Sequence, residues 1–221
     1  AVRSGGAARW DEQEPVVGQA PLWPGEQEAY EEPRVSEESA SLDEQCVRAL
    51  DRACTIGSHG LPLMGCGDWN DGMNRVGIEG KGESVWLAWF LIATLRRFAE
   101  HASRRQDAAV ANRCRKRADD YAAAVERTSW DGAWYRRAYF DDGTPLGSAE
   151  NQECQIDSIS QSWSVLSGAG TQVRSSLAPE TVERRLVRSD ANLILLLHPP
   201  FDTSNRTPDY INAYVPAARE N

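Results

Sequence analysis

The densest concentration of chemistry-bearing residues lies between Gly60 and Gly82, where Gly67-Asp68-Trp69-Asn70-Asp71-Gly72 sits among further glycines at 65, 77, 80 and 82. Glycine-rich backbone lets short polar side chains and main chain come close to a ligand. An indole between carboxylates forms a common sugar platform: the ring stacks on the apolar face of a pyranose, and the acids accept hydroxyl protons. A carboxyl group held against an indole loses solvation, which favours its protonated form and a general-acid role. A calcium-type loop or a turn built from side-chain caps uses the same residue types. The EF-hand spacing is not met, since its central glycine and terminal glutamate are missing from the required positions. The local chemistry leaves a functional loop and a structural turn evenly matched.

Elements on both sides must hold this loop. A helix is expected to start near Ser39 or Ser41, with Leu42, Cys46, Val47, Leu50 and Cys54 on one face. Ser41 and Glu44 have capping-box spacing. Ser84 to His101 predicts a helix buried nearly all round, because Val85 to Ala93 is an unbroken run of apolar residues. About Asp107 to Arg127 predicts an amphipathic helix, with Ala111, Cys114, Ala118, Tyr121, Ala122 and Val125 as its stripe. Trp134 to Phe140 followed by Asp141-Asp142-Gly143 is a hairpin signal. Asp157 to Ser167 and roughly Pro179 to Arg188 complete the helices, and Ala191 to Leu197 reads as a short strand or helical turn. Residues 1–38, with prolines at 15, 21, 24 and 33, read as an extended arm, and 39–221 as one domain. The expected class is all-α with a small β-hairpin. Alternation of a fully buried helix with striped ones suits part of a double-layered helical barrel better than a plain bundle.

Composition narrows the function classes. A formal net charge of -9 over 221 residues argues against nucleic acid, whose phosphates need a basic face. No apolar run reaches the roughly 20 residues that cross a bilayer. No apolar leader follows the N-terminal charges, and five cysteines without a CxxC pair suit a reducing compartment, so a cytoplasmic location is expected. Only Lys81 and Lys116 are lysines, a bias that reads as genomic rather than functional. His59, His101 and His198 lack ligand spacing, and no metal site is expected. Trp86, Trp89 and Trp163 read as core aromatics within helices.

Several longer motifs resemble glycoside hydrolase family 94, the cellobiose and chitobiose phosphorylases and the C-terminal domain of cyclic β-1,2-glucan synthases. They are Gly60-Leu61-Pro62-Leu63-Met64, Gly67 to Asn74, Gly82-Glu83-Ser84-Val85-Trp86, Tyr135 to Gly143, Ile156 to Trp163 and Pro199-Pro200-Phe201-Asp202. The likeness runs from about Gln27 to Asn221 and is nearest the β-1,2-glucan branch. It implies an (α/α)6 barrel, Asp71 as the general acid, and Trp69, Asp68, Asn70 and Glu220 at the sugar. It further implies inorganic phosphate as co-substrate, no cofactor, an oligosaccharide or glucan substrate, and frequent homodimers. The family's phosphate-holding histidine and threonine-glycine pair would fall beyond Asn221. The chain is therefore expected to be a partial catalytic domain, inactive alone, and conceivable as part of an inner-membrane synthase. A hydrolase or transglycosidase on the same barrel and a non-catalytic glucan-binding segment are the other expected readings.

Overall fold

A computed structural model describes residues 8–18, 29, 32–202 and 208–215. The chain divides into two compact units, Ala1–Ala53 and Cys54–Asn221. The helix that follows the arm groups with it in the first unit.

In the first unit α1 (Ala8–Asp11) precedes β1 (Gln13–Gly18), which pairs antiparallel with β2 (Arg34–Ser41). The arm is therefore partly a two-stranded ribbon, which its prolines and acids did not suggest. Pro15 is accommodated where the register shifts between Pro15 and Val17, the kind of ladder irregularity that tolerates proline. Helix α2 (Leu42–Ala53) starts as its capping residues predict, with the Glu44 amide donating to Ser41 Oγ at 3.2 Å. None of its residues is fully buried.

The second unit is mainly helical. Helix α3 (Val85–Arg104) follows β3 (Glu83–Ser84), and Ser84 Oγ caps it by accepting from the Leu87 amide at 3.0 Å. Helix α4 (Ala108–Thr128) is capped by Asp107 and packs against α3, and its buried residues are Ala111, Cys114, Ala118, Tyr121, Ala124 and Val125. Small residues along this stripe let the two axes approach. Strands β4 (Ala138–Tyr139) and β5 (Pro145–Leu146) form the expected hairpin, and β3 joins it as a third strand, Glu83 opposite Tyr139. Next come β6 (Ile156–Asp157), α5 (Ser158–Leu166) and α6 (Gln172–Leu186). Strands β7 (Val187–Arg188), β8 (Leu193–Ile194) and β9 (Leu197–His198) follow, with β9 returning to pair with β6, and a short 3-10 turn at Tyr210–Ala213 comes last.

Two expectations are corrected. Helix α6 begins seven residues before Pro179, which lies inside it. A proline deprives a helix of one hydrogen bond and can kink it, but does not forbid helix on its N-terminal side. Helix α3 is also not covered all round, because Phe90 is 38% exposed.

The core that matters for the loop combines Met64, Met73 and Val76 with Ala138, Leu146, Cys154, Leu197, Phe201 and Ile211. The loop thus contributes three side chains of its own to a closed apolar cluster. It is packed like a folded element and not draped over one.

Candidate active site

Three carboxylates pin the loop from Gly60 to Gly82. At its start, buried Glu83 accepts from the amides of His59 and Leu61, each at 3.0 Å, from Ser58 Oγ at 3.2 Å, and lies 2.5 Å from His59 Nδ1. The His59 ring stacks on Tyr139 at 3.8 Å between centroids. At its end, Asp141 of the hairpin turn accepts from the amides of Glu79, Lys81 and Gly82 at 2.8–2.9 Å. The two ends meet where the Met64 amide donates to the Gly82 carbonyl at 2.8 Å. A Cβ on Gly82 would come within 2.5 Å of Gly77 Cα and the Val76 carbonyl, so only glycine fits there.

The middle of the loop is held by Asp68. Its carboxylate is closed to solvent and receives Arg137 Nη1 on Oδ2 at 2.6 Å and Nη2 on Oδ1 at 2.7 Å. Ser84 Oγ donates to the same Oδ2 at 2.7 Å, and the Asn70 amide to Oδ1 at 3.2 Å. Burial alone would raise this carboxyl, but the Arg137 charge and these hydrogen bonds outweigh it and hold Asp68 below the usual carboxylate range. Arg137 faces a second buried acid, Asp157, with Nε 3.3 Å from Oδ2. Asp157 caps α5 by accepting from the Ile159 amide at 2.7 Å. Burial dominates there and pushes Asp157 up to about 6, although Arg137 and the cap pull the other way. Neighbouring Cys154 is a buried thiol pushed well above its usual value, first by burial and then by the Asp157 charge.

The four loop residues expected at the sugar therefore divide. Asp68 has both oxygens engaged internally. Asn70 is 3% exposed, and its Oδ1 caps the short 3-10 turn Asp71–Met73 by accepting from the Gly72 amide at 2.9 Å. Trp69 and Asp71 remain on the open side. Trp69 is 40% exposed, with its ring edge-on to Trp86 at 6.5 Å. Asp71 is exposed at the start of the turn, and its carboxylate has no hydrogen-bond partner among the described residues. Glu220, the fifth expected site residue, lies outside the described residues.

Trp86 in turn stacks on Phe90 at 5.5 Å and meets Trp163 edge-on at 6.3 Å, so an aromatic cluster leads away from Trp69 along α3 and α5. Trp86 and Trp89 are core residues at 8% and 0% exposure, as expected, and both leave Nε1 without a partner among the described residues. Sequence reasoning gave no role to Glu83, Arg137 or Asp141. Each lies inside a quoted motif, but none carries a local signal that sets it apart from an exposed charge.

The profile described as "Glycosyl hydrolase 94 superfamily, catalytic domain" matches residues 14–221. The chain belongs to this family. It is 46% identical over 211 residues to the cyclic beta-(1,2)-glucan synthase NdvB of Rhizobium meliloti, covering 95% of this chain and 8% of that protein. It is 36% identical over 140 residues to a 3-O-beta-D-glucopyranosyl-beta-D-glucuronide phosphorylase of Paenibacillus borealis, covering 63% of this chain and 18% of the relative. The cellobionic acid phosphorylase of Neurospora crassa is 33% identical over 175 residues, with 76% and 21% covered. The chain thus spans less than a quarter of the length of these relatives. Phosphorylases of the family take inorganic phosphate as co-substrate and need no cofactor. Among the described residues no cluster of three or more acids, histidines or cysteines is arranged for a metal, and no helix is long and apolar enough to cross a membrane.

Proposed function

We propose that this chain is the acid-bearing part of an inverting phosphorylase acting on β-linked glucosides, β-1,2-glucan first among them, with glucose 1-phosphate as product. The observation that carries this reading is the division of the loop. Asp68 and Asn70 are consumed by internal hydrogen bonds, while Trp69 and Asp71, two positions apart, stay open to solvent. Helical hairpins α3–α4 and α5–α6 would form part of an (α/α)6 barrel. The partners are a glucan and phosphate, and a cytoplasmic location, within a longer synthase or phosphorylase, suits a substrate such as phosphate.

The chemistry follows from what one free carboxyl group can do. A phosphate oxygen attacks the anomeric carbon as the glycosidic bond breaks, and Asp71 gives its proton to the departing oxygen. An inverting hydrolase needs a second carboxylate to deprotonate water. Asp68, the nearest acid along the chain, cannot serve, because Arg137 and Ser84 occupy its oxygens and solvent does not reach it. Phosphate arrives as an anion and needs no such base. Trp69 would stack on the sugar, and Glu220 would accept from one of its hydroxyls. Asp68 and Asn70 support the turn in this reading instead of touching sugar.

A second reading, a glucan-binding segment that works only within a larger synthase, is favoured by the 8% coverage of the Rhizobium meliloti relative. Incubating the full-length gene product with β-1,2-gluco-oligosaccharides separates the two. Phosphate-dependent release of α-glucose 1-phosphate supports the phosphorylase. Free glucose formed equally without phosphate would replace it by a hydrolase, and saccharide-dependent tryptophan quenching without turnover by the binding segment.

A further inference from the structure

One guanidinium group ties the middle of the loop that carries Asp71 to the caps of two helices. Arg137 donates two short hydrogen bonds to Asp68, approaches Ser84 Oγ with Nη1 at 3.4 Å, and holds Nε 3.3 Å from Asp157 Oδ2 as an ion pair without a hydrogen bond. Ser84 is the cap of α3 and Asp157 the cap of α5. The first turns of two helices and the middle of the loop therefore converge on a single side chain that is 1% exposed.

The backbone of Arg137 is fixed as tightly. Its amide donates to the Leu146 carbonyl at 2.8 Å, and its carbonyl accepts from the Val85 amide at 3.1 Å. Gly147, at φ +83°, packs so closely that a Cβ there would lie 2.4 Å from the Arg137 nitrogen. From Asp68 the constraint passes along the loop through short local bonds. Asp68 takes the Asn70 amide, Asn70 Oδ1 takes the Gly72 amide, and the Asn70 carbonyl takes the Met73 amide. Trp69 and Asp71 alternate with these anchored residues. The planar fork of arginine suits this task because it fixes both distance and angle to a carboxylate, which the point charge of lysine does not.

A buried ion pair is a poor source of net stability, since an apolar pair of similar volume often does as well. What such a pair supplies here is geometry. Resting on the reading of Asp71 as general acid, we propose that Arg137 is the positioning residue of the acid loop, coupling Asp68 to the caps of α3 and α5 and so fixing where Trp69 and Asp71 stand.

The test separates position from stability. In the 5-fluorotryptophan-labelled chain, the 19F resonance of Trp69 is assigned by its loss in Trp69→Phe. The double variant Asp68→Asn/Arg137→Met removes both charges of the pair together, and spectra are recorded at about pH 5, where the buried Asp157 that also faces Arg137 is protonated. The expected result is native resonances for Trp89 and Trp134 with a Trp69 resonance that narrows and moves toward the value of the free amino acid. In the full-length enzyme, kcat for phosphorolysis should fall about 10- to 100-fold with little change in KM, as for a misplaced catalytic group. Arg137→Lys should give an intermediate Trp69 signal. A native Trp69 resonance in the folded double variant would overturn the proposal. If the double variant does not fold, Ser84→Ala, which removes one donor to Asp68, must still broaden the range of Trp69 positions, and an unchanged Trp69 line there overturns it equally. Asp71→Asn should lower kcat about 10²- to 10⁴-fold and leave the Trp69 resonance in place. A fully active Asp71→Asn enzyme would remove the acid assignment and leave the Arg137 result to stand separately.

Discussion

Arg137 and Asp68 meet through two parallel hydrogen bonds of 2.6 and 2.7 Å, with both side chains closed to solvent, although 69 positions separate them along the chain. This pairing decides which of the two loop aspartates is free. With Asp68 committed, Asp71 is left with an open carboxylate, and the loop can present one acid and one indole on a fixed base.

Breaking the pair from one side should be costly. Arg137→Met leaves Asp68 buried without its cation, and the expected loss of stability is roughly 3–5 kcal/mol. Urea unfolding of the purified chain measures it. A loss under about 1 kcal/mol would mean that water reaches Asp68 and the pair is not closed.

Asp157 should respond to pH in the opposite sense. Its folded value of about 6 lies above the usual 3.8, so the folded chain holds this proton more readily than the unfolded one. This group's stabilising contribution is therefore full below about pH 4 and is lost as pH rises to about 6, where ionisation costs on the order of 3 kcal/mol. Asp157→Asn keeps an oxygen for the Ile159 amide and removes the charge. The variant should be more stable than the parent at pH 8, with the advantage vanishing near pH 4. Thermal melts across that range would read it, and a variant less stable at every pH would refute the assignment. Asp68, held below the usual range, contributes stability above pH 4 that is lost only in stronger acid.

Asp141 should control the end of the loop. Asp141→Ala strips three amides, those of Glu79, Lys81 and Gly82, of their acceptor. A loss of about 1–3 kcal/mol is expected for such partly covered groups, together with faster proteolysis between Gly77 and Gly82. Unchanged cleavage at that segment would show that the Met64–Gly82 bond suffices to hold it.

Trp69→Ala should cost less stability than the same change at the buried Trp89, because the Trp69 ring is 40% exposed and meets Trp86 edge-on. Saccharide-dependent quenching of tryptophan fluorescence should disappear with it. Persistent quenching would move the sugar to another tryptophan.

Helices α3, α4 and α5 are legible within three residues at each end because their caps, Ser84, Asp107 and Asp157, are local signals. Helix α6 was placed late because Pro179 looked like a start when it is an interior residue. The ribbon of β1 and β2 escaped notice because its residues face mostly outward and carry no alternation of apolar and polar side chains. Within the site, the loop and its residue types were legible, but the division of labour was not. Two aspartates three positions apart look alike until a partner from a distant hairpin takes one of them. Glu83 and Asp141 were hidden for the same reason, since both act through backbone amides that no side-chain motif encodes.

The most direct test of the whole account is phosphorolysis by full-length protein carrying Asp71→Asn, with Asp68→Asn beside it. Loss of general-acid catalysis predicts that kcat for Asp71→Asn falls about 10²- to 10⁴-fold at native melting temperature, while Asp68→Asn loses activity together with stability. An Asp71→Asn enzyme that still releases glucose 1-phosphate at the parent rate would contradict the account.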